Sequence, residues 1–231
     1  MQNRLLFIVF LTTVFGFSQE KSLTAIDSLY REDQFYLTAA YNNLQKYPSG
    51  LKQNKLSPGI AIGFLRDMPV NKSRTYAIAL GAGYSFSQYN YNLYTYNTYS
   101  LDGTTQNYEV LSDDVYYDKN RLTLHYIEAP IEFRWRSSTF DSHKFWRIYA
   151  GFKAGYLFTS KYQFVNDVQN ITIKNNPDLN KIAYGCYVSA GWNTWNIYAY
   201  YGLNSLFNSV KIDGKPSSMN TVNVGLQFYI L

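Results

Sequence analysis

Charge is scarce in this chain. Asp, Glu, Lys and Arg make up 16% of its 231 residues, against about 25% in an average soluble domain. A single cysteine, Cys186, excludes an intrachain disulfide. Only two histidines occur, His125 and His143, far apart in sequence. With one Cys and acidic loop residues such as Asp113 and Asp114, they give no metal set of the right count, and no cofactor is expected. Beyond the first residues, no stretch is long and apolar enough for a transmembrane helix. The net charge of +5 comes with no Lys/Arg stripe and no RNA-type signature, so nucleic acid is not an expected partner. What the chain does have is tyrosine, 24 of them, within an aromatic content of 19%. Tyrosine concentrates where an apolar phase meets water.

The amino-terminal residues read as a targeting segment. Arg4 supplies the positive start, and the apolar run Leu5 to Phe17 has the length of a signal-peptide core. Gly16-Phe17-Ser18 is a plausible cleavage site, and no cysteine follows to carry a lipid anchor. The expected organisation is a signal peptide over 1–18, a periplasmic lead over 19–33 and a β-barrel domain over 34–231. Ser22 to Arg31 suits one or two helical turns before the first strand.

From there the pattern has period two, which means strands, because successive side chains point to opposite faces. The stretch HYIEAPIEFRWR, residues 125 to 136, sets the pattern: Ile127, Ala129, Ile131, Phe133 and Trp135 alternate with Glu128, Pro130, Glu132, Arg134 and Arg136. Seven other segments behave alike, near Gln34 to Leu44, Leu56 to Arg66, Thr75 to Phe86, Phe145 to Phe158, Ile182 to Trp192, Asn196 to Leu206 and Asn220 to Leu231. Many are about ten residues long, the length of a tilted bilayer-crossing strand. One face of each is aliphatic with aromatic ends. The other is small, such as Gly59, Ala61 and Gly63, with a few long polar side chains. Small and polar inside with apolar outside fits a narrow membrane barrel; a soluble lipocalin-like barrel reverses the two faces.

Connection lengths give an independent reading. They alternate between short, as at Asp67 to Arg74, Ser137 to Lys144 and Asn193 to Asn196, and long, as from Ser87 to Asn120 and Thr159 to Lys181. Outer-membrane barrels have short turns on the periplasmic side and long loops outside. The fold class is therefore all-β: an eight-stranded antiparallel transmembrane β-barrel, an up-and-down meander, with both termini in the periplasm.

The charged face of residues 125–136 must then point into the lumen, where a lone charge is costly. The expected lumen network is Glu128, Glu132, Arg134, Arg147 and Lys153, with Glu132 beside Arg147 and Glu128 beside Lys153, directly or diagonally. Pro130 lacks a ladder donor and is expected to mark a bulge or an inward kink.

The hairpin HYIEAPIEFRWR…FWRIYAGFKAGYLF, with its Tyr-Ile-Glu-x-Pro-Ile core and Gly-x-Lys-x-Gly-Tyr run, resembles the PorT-like outer-membrane β-barrel proteins of Bacteroidota. The likeness covers roughly Phe35 to Leu231, and the terminal Gly225-Leu226-Gln227-Phe228 is compatible with it. It implies an outer-membrane location and, by analogy alone, a role in type IX secretion and gliding.

Three function classes are weighed. A lipid A-modifying enzyme needs a nucleophile and base near the outer rim. His143 falls in a turn and His125 has lipid-facing parity, so a Ser-His-Glu set using Glu128 is the weaker reading, and no catalytic residue is assigned. A diffusion porin needs an open lumen, which eight strands with Glu, Arg, Lys and Tyr inside do not leave; a free-standing structural barrel or a narrow pore stays open as the alternative. Interaction remains. YNYNLYTYNTYS, residues 89 to 100, keeps partial alternation and suits a protruding hairpin. Tyr89, Tyr91, Tyr94, Tyr96 and Tyr99 would form an aromatic partner surface, or equally pack on one another as the outer girdle. The expected protein is a non-enzymatic outer-membrane component of secretion or surface assembly. It would be a monomeric barrel within a larger complex, touching membrane lipid and other outer-membrane or periplasmic proteins.

Overall fold

The computed structural model describes residues 33–137, apart from 54 and 102, and residues 146–230, apart from 209 and 213. The expected signal peptide and nearly all of the periplasmic lead lie outside the described residues, as does His143.

The barrel is built from β1 (Gln34–Gln45), β2 (Pro58–Pro69), β3 (Tyr76–Asn90), β6 (Lys119–Arg136), β7 (Trp146–Val165), β9 (Ile182–Trp192), β10 (Trp195–Ser205) and β13 (Asn220–Ile230). Each pairs antiparallel with its neighbours, and β13 pairs back onto β1 from Ile230 opposite Phe35 to Asn220 opposite Gln45. The pairing of β6 with β7 completes the ring, an eight-stranded closed meander. Closure leaves the barrel wall no unpaired edge.

The remaining strands belong to the long connections. β4 (Leu93–Ser100) and β5 (Gly103–Val110) form a separate hairpin. β8 (Asn170–Lys174) folds back on β7, while β11 (Val210–Ile212) and β12 (Lys215–Ser217) make a small ribbon. At the other end the turns are tight. Trp192 and Trp195 pair directly across two residues, with Asn193 at φ 56°, a left-handed conformation that Asn tolerates.

The wall is apolar outside. Phe35, Ile60, Ile62, Leu80, Ile127, Ile131, Phe133, Ile148, Val188, Ile197 and Val224 are all exposed. Trp146, Trp192 and Trp195 ring the turn end, where Trp146 meets Trp192 with ring centroids 5.4 Å apart. Toward the loop end Tyr84, Phe86, His125 and Phe158 form a second aromatic group. This is the apolar band with girdles that a bilayer selects.

Strand β6 shows where that band stops. Its even-numbered residues from Asn120 to Arg136 all point inward. Below Ile127 the inward set is charged apart from Pro130 and the outward set apolar. Above it the inward set is Leu122, Leu124 and Tyr126, ending on Asn120, and the outward set is Arg121, Thr123 and His125. The faces have not exchanged places; the solvent outside has changed from lipid to water.

Pro130 does not produce a bulge. Leu80 faces Ile131 and Gly83 faces Glu128, so the register is unbroken across it and only the ladder to β3 is interrupted. The missing proline N–H accounts for that gap. The bulge lies instead on β7 at Phe158, between the pairs Leu157–Tyr126 and Thr159–His125. It shifts the parity of β7 so that Ser160, Tyr162 and Phe164 point inward above the band.

Candidate functional site: the lumen and its cap

At the turn end the lumen holds an ionic layer. Asp67, at the foot of β2, accepts from Arg134 Nη1 at 2.8 Å and from Arg136 Nη1 and Nη2 at 3.1 and 3.0 Å. Arg134 also donates through Nε to Glu132 Oε2 at 2.8 Å. The other Glu132 oxygen accepts the hydroxyls of Tyr187 and Tyr229 at 2.8 and 2.9 Å. Arg136 Nε caps the carbonyl of Arg74 in the β2–β3 turn. The Arg134 guanidinium lies 4.9 Å from the Tyr149 ring centre, adding cation–π contact to the ion pairs. All of these charged side chains are sealed from solvent, so each is acceptable only because it is paired and hydrogen-bonded.

Glycines make room for the long side chains. A Cβ on Gly151 would fall 2.3 Å from the Tyr187 ring, and one on Gly83 only 2.0 Å from the Tyr36 hydroxyl.

A second layer sits mid-barrel. Glu128 accepts the Tyr36 hydroxyl at 2.8 Å and pairs with Lys153 Nζ at 3.1 Å. Lys153 also reaches the Tyr198 hydroxyl at 3.3 Å and lies over the Tyr200 ring at 5.0 Å. Above it a polar cavity of about 50 Å³ is lined by Ser85, Ser87, Tyr126, Tyr200, Thr221 and Asn223. That volume holds a few waters.

The long connections close over this cavity as a second core. Leu44, Leu51, Tyr91, Leu93, Tyr108, Leu122, Leu124, Tyr162, Phe164, Leu179, Phe207 and Met219 are buried together. Polar groups staple it. Asn176 donates to the Tyr108 hydroxyl, which donates to Asp178, both at 2.8 Å. Asn92 donates to the carbonyls of Gly50 and Leu111. Burial pushes the phenols of Tyr91 and Tyr108 well above their usual value, with Asp178 adding to the effect at Tyr108 and the Asn176 hydrogen bond opposing it.

The residues singled out in sequence fall as follows. Glu128 lies diagonal to Lys153, whose strand partner is Pro130. Glu132 does not lie beside Arg147: the register sets Glu132 against Gly151 and Arg147 against Arg136. The partners of Glu132 are instead Arg134, two residues along the same strand, and two tyrosines. Arg147 is buried against the Tyr149 and Tyr229 rings. The short turn expected over Asp67 to Arg74 begins later: β2 runs on through Asp67 to Pro69, and the even spacing of Asp67 from Ala61 and Leu65 points it inward.

The tyrosine run divides. Tyr89 and Tyr91 are each 2% exposed and fill the cap, so they form no outward surface. Tyr94 packs edge-on against Phe164, and Tyr96 stacks on Tyr94. Only Tyr99, 78% exposed near the tip of the β4–β5 hairpin, stands fully in solvent. His125 accepts or donates a 2.7 Å hydrogen bond with the Tyr84 hydroxyl on the outer wall. Glu128 is on the opposite face, so the two do not meet. Among the described residues no cluster of His, Cys, Asp and Glu has metal-binding geometry. Asp113 is paired with Lys52.

Residues 17–208 match the family model described as outer membrane protein beta-barrel domain. The chain belongs to this outer-membrane barrel family. No curated protein matches it. Two solved structures of Ail, the attachment invasion locus protein of Yersinia pestis, are similar at 15% identity. One is in complex with the heparin analogue sucrose octasulfate; it covers 87% of this chain and 99% of its own, with a TM-score of 0.42. The other covers 85% and 97%, with a TM-score of 0.35. Likeness at that level leaves the function open.

Proposed function

We propose that this outer-membrane protein is a non-conducting, non-enzymatic barrel that serves as a membrane-fixed docking component. Its loop end faces outward, and its role is accessory to protein secretion or assembly of the cell surface. The observation that carries this reading is the filling of the lumen. An ionic layer, the Glu128–Lys153 layer and the apolar cap stand in series along one axis. A diffusion pore needs an open path, and the Ser-His-Glu set weighed for a rim enzyme is split between the two faces of the wall, His125 outside and Glu128 inside. What the fold offers in quantity is a rigid, folded loop end carrying the β4–β5 hairpin. The resemblance to PorT-like proteins supplies the narrower assignment, type IX secretion and gliding.

Deletion of the gene, followed by assays of secreted protein, gliding and envelope integrity, tests it. Loss of secretion restored by the wild-type gene is the expected result. Normal secretion together with an altered lipid A mass would overturn the reading in favour of an enzyme. Normal secretion with a leaky envelope would favour a free-standing structural barrel.

A further inference from the structure

Directly above the aromatic group on the loop side, one outer face of the wall is basic. It is formed by the upper parts of β6 and β7 and by β8. Lys161 and Lys174 are direct cross-strand partners, and Thr123 stands opposite Lys161 on β6. In the next row up, Arg121, Gln163 and Thr172 lie side by side, and Arg121 donates to Gln163 Oε1 through Nε and Nη2 at 3.2 and 2.8 Å. The row below holds His125 and Thr159, beside the bulged Phe158. The outward positions of this face carry no Asp or Glu between His125 and Arg121, between Thr159 and Val165, or between Asn170 and Lys174. Asp118 and Asp167, which flank these strand segments in sequence, lie by Tyr116.

Like charges placed directly opposite each other across a strand pair are destabilising. No ion pair or hydrogen bond within the chain offsets Lys161 and Lys174 among the described residues. Their position explains what does. Phe158 is in the apolar band, and Lys161 is three residues above it, about 10 Å along the strand. A bilayer whose apolar band ends at Phe158 sets its headgroup layer at that height, between the lipid below and the water above. The basic face is also continuous with the lipid-facing wall below it, so its occupant is already in the membrane.

We propose that Lys161, Lys174 and Arg121 form a binding site for the phosphorylated headgroup of a glycolipid in the loop-side leaflet, its acyl chains lying along Phe158 and Tyr84. Two ammonium groups side by side suit a phosphate, which accepts from both, and the guanidinium above presents a further fork of donors. The site rests on the loop end facing outward, where the phosphorylated glycolipid of such membranes resides. It does not depend on a role in secretion.

Native mass spectrometry of the full barrel in neutral detergent, with added diphosphorylated lipid A or its dephosphorylated counterpart, tests the site directly. The wild type should retain the diphosphorylated lipid roughly tenfold better than the dephosphorylated one, the scale of one or two charge-assisted hydrogen bonds. The double variant Lys161→Gln/Lys174→Gln should lose most of that preference. Lys72→Gln/Lys211→Gln, which removes two charges away from this face, should keep it. Unchanged heat-dependent gel migration shows that each variant is folded. Equal retention of both lipids by the wild type, or an undiminished preference in the Lys161/Lys174 variant, overturns the site. So does displacement of bound lipid A by equimolar inorganic phosphate, which would mark a free-anion site. Loss of secretion has no bearing on these readouts, so the site and the proposed role fail independently.

Discussion

Asp67 is the residue on which the turn-end layer depends. It receives three hydrogen bonds from two arginines that are otherwise enclosed by the barrel. Replacing it with Ala leaves both guanidiniums short of a counter-charge, and breaking a buried pair by removing one partner costs about 3–5 kcal/mol. Urea unfolding of the refolded barrel in detergent should show Asp67→Ala losing that order of stability. Glu132→Ala should behave alike, since Arg134, Tyr187 and Tyr229 all bond to it. Water admitted to the lumen would reduce both losses. An Asp67→Ala midpoint equal to that of the parent would show that the layer is already hydrated. Gly151→Ala probes the same layer by volume: the added methyl displaces the Tyr187 ring and so breaks its bond to Glu132. At this scale the sequence was only partly readable. Inward parity identified Glu128, Glu132, Arg134 and Lys153. Which charge meets which depends on stagger between strands, and stagger is fixed by the length of each turn, not by parity. Parity alone allows Arg147 to meet Glu132, whereas the register carries it level with Arg136.

The elements above the membrane are held by a different chemistry from those within it. The cap core is built on Tyr91, Tyr108, Tyr162 and their aliphatic neighbours. Burial raises the pKa of each of these phenols, and for Tyr108 the Asp178 carboxylate raises it further. A group whose folded pKa is raised contributes stability that is complete below its unfolded value, about 10 for Tyr. That contribution is lost as pH climbs from there toward the folded value. The cap should consequently loosen at alkaline pH while the barrel persists. Absorbance titration at 295 nm should show a late tyrosinate fraction that moves toward pH 10 in Asp178→Ala or when the cap is denatured, and further from it in Asn176→Ala. Proteolysis within 91–118 should rise over the same interval. Simultaneous loss of barrel and cap would show that they are one cooperative unit. The eight barrel strands were legible because lipid outside and a narrow lumen inside force strict alternation. Their upward extensions were not. β6 begins at Lys119 and β7 runs to Val165, and there apolar residues turn inward while the Phe158 bulge shifts the parity. The same inversion decides between the two readings of Tyr89 and Tyr91: they continue the inward row of β3 and pack within the cap, and they form no outward surface.

For the whole molecule, the order of layers along the axis decides what can pass. Two paired-charge layers and an apolar cap stand in series across the lumen, with a cavity of about 50 Å³ beside the Glu128–Lys153 layer, and an ion entering the low-dielectric cap loses hydration without replacement. Planar bilayers containing the purified protein should therefore stay silent at physiological salt. The cap should be the outermost seal, so removal of 95–108, the body of the β4–β5 hairpin, should leave the bilayer silent as long as the Glu128–Lys153 and Asp67 layers stand. Combining that deletion with Glu128→Ala and Asp67→Ala should open a measurable conductance if the variant still shows heat-dependent migration. Conductance from the unaltered protein would revive the narrow-pore reading. Orientation is read on the same molecule. With the lipid-facing Cys186 replaced by Ser, a thiol at Leu101, fully exposed at the hairpin tip, should react with an impermeant maleimide on intact cells. A thiol at Lys72, in the β2–β3 turn, should react only after the outer membrane is breached. The reverse pattern would invert the barrel, and with it the leaflet assigned to the Lys161–Lys174 face.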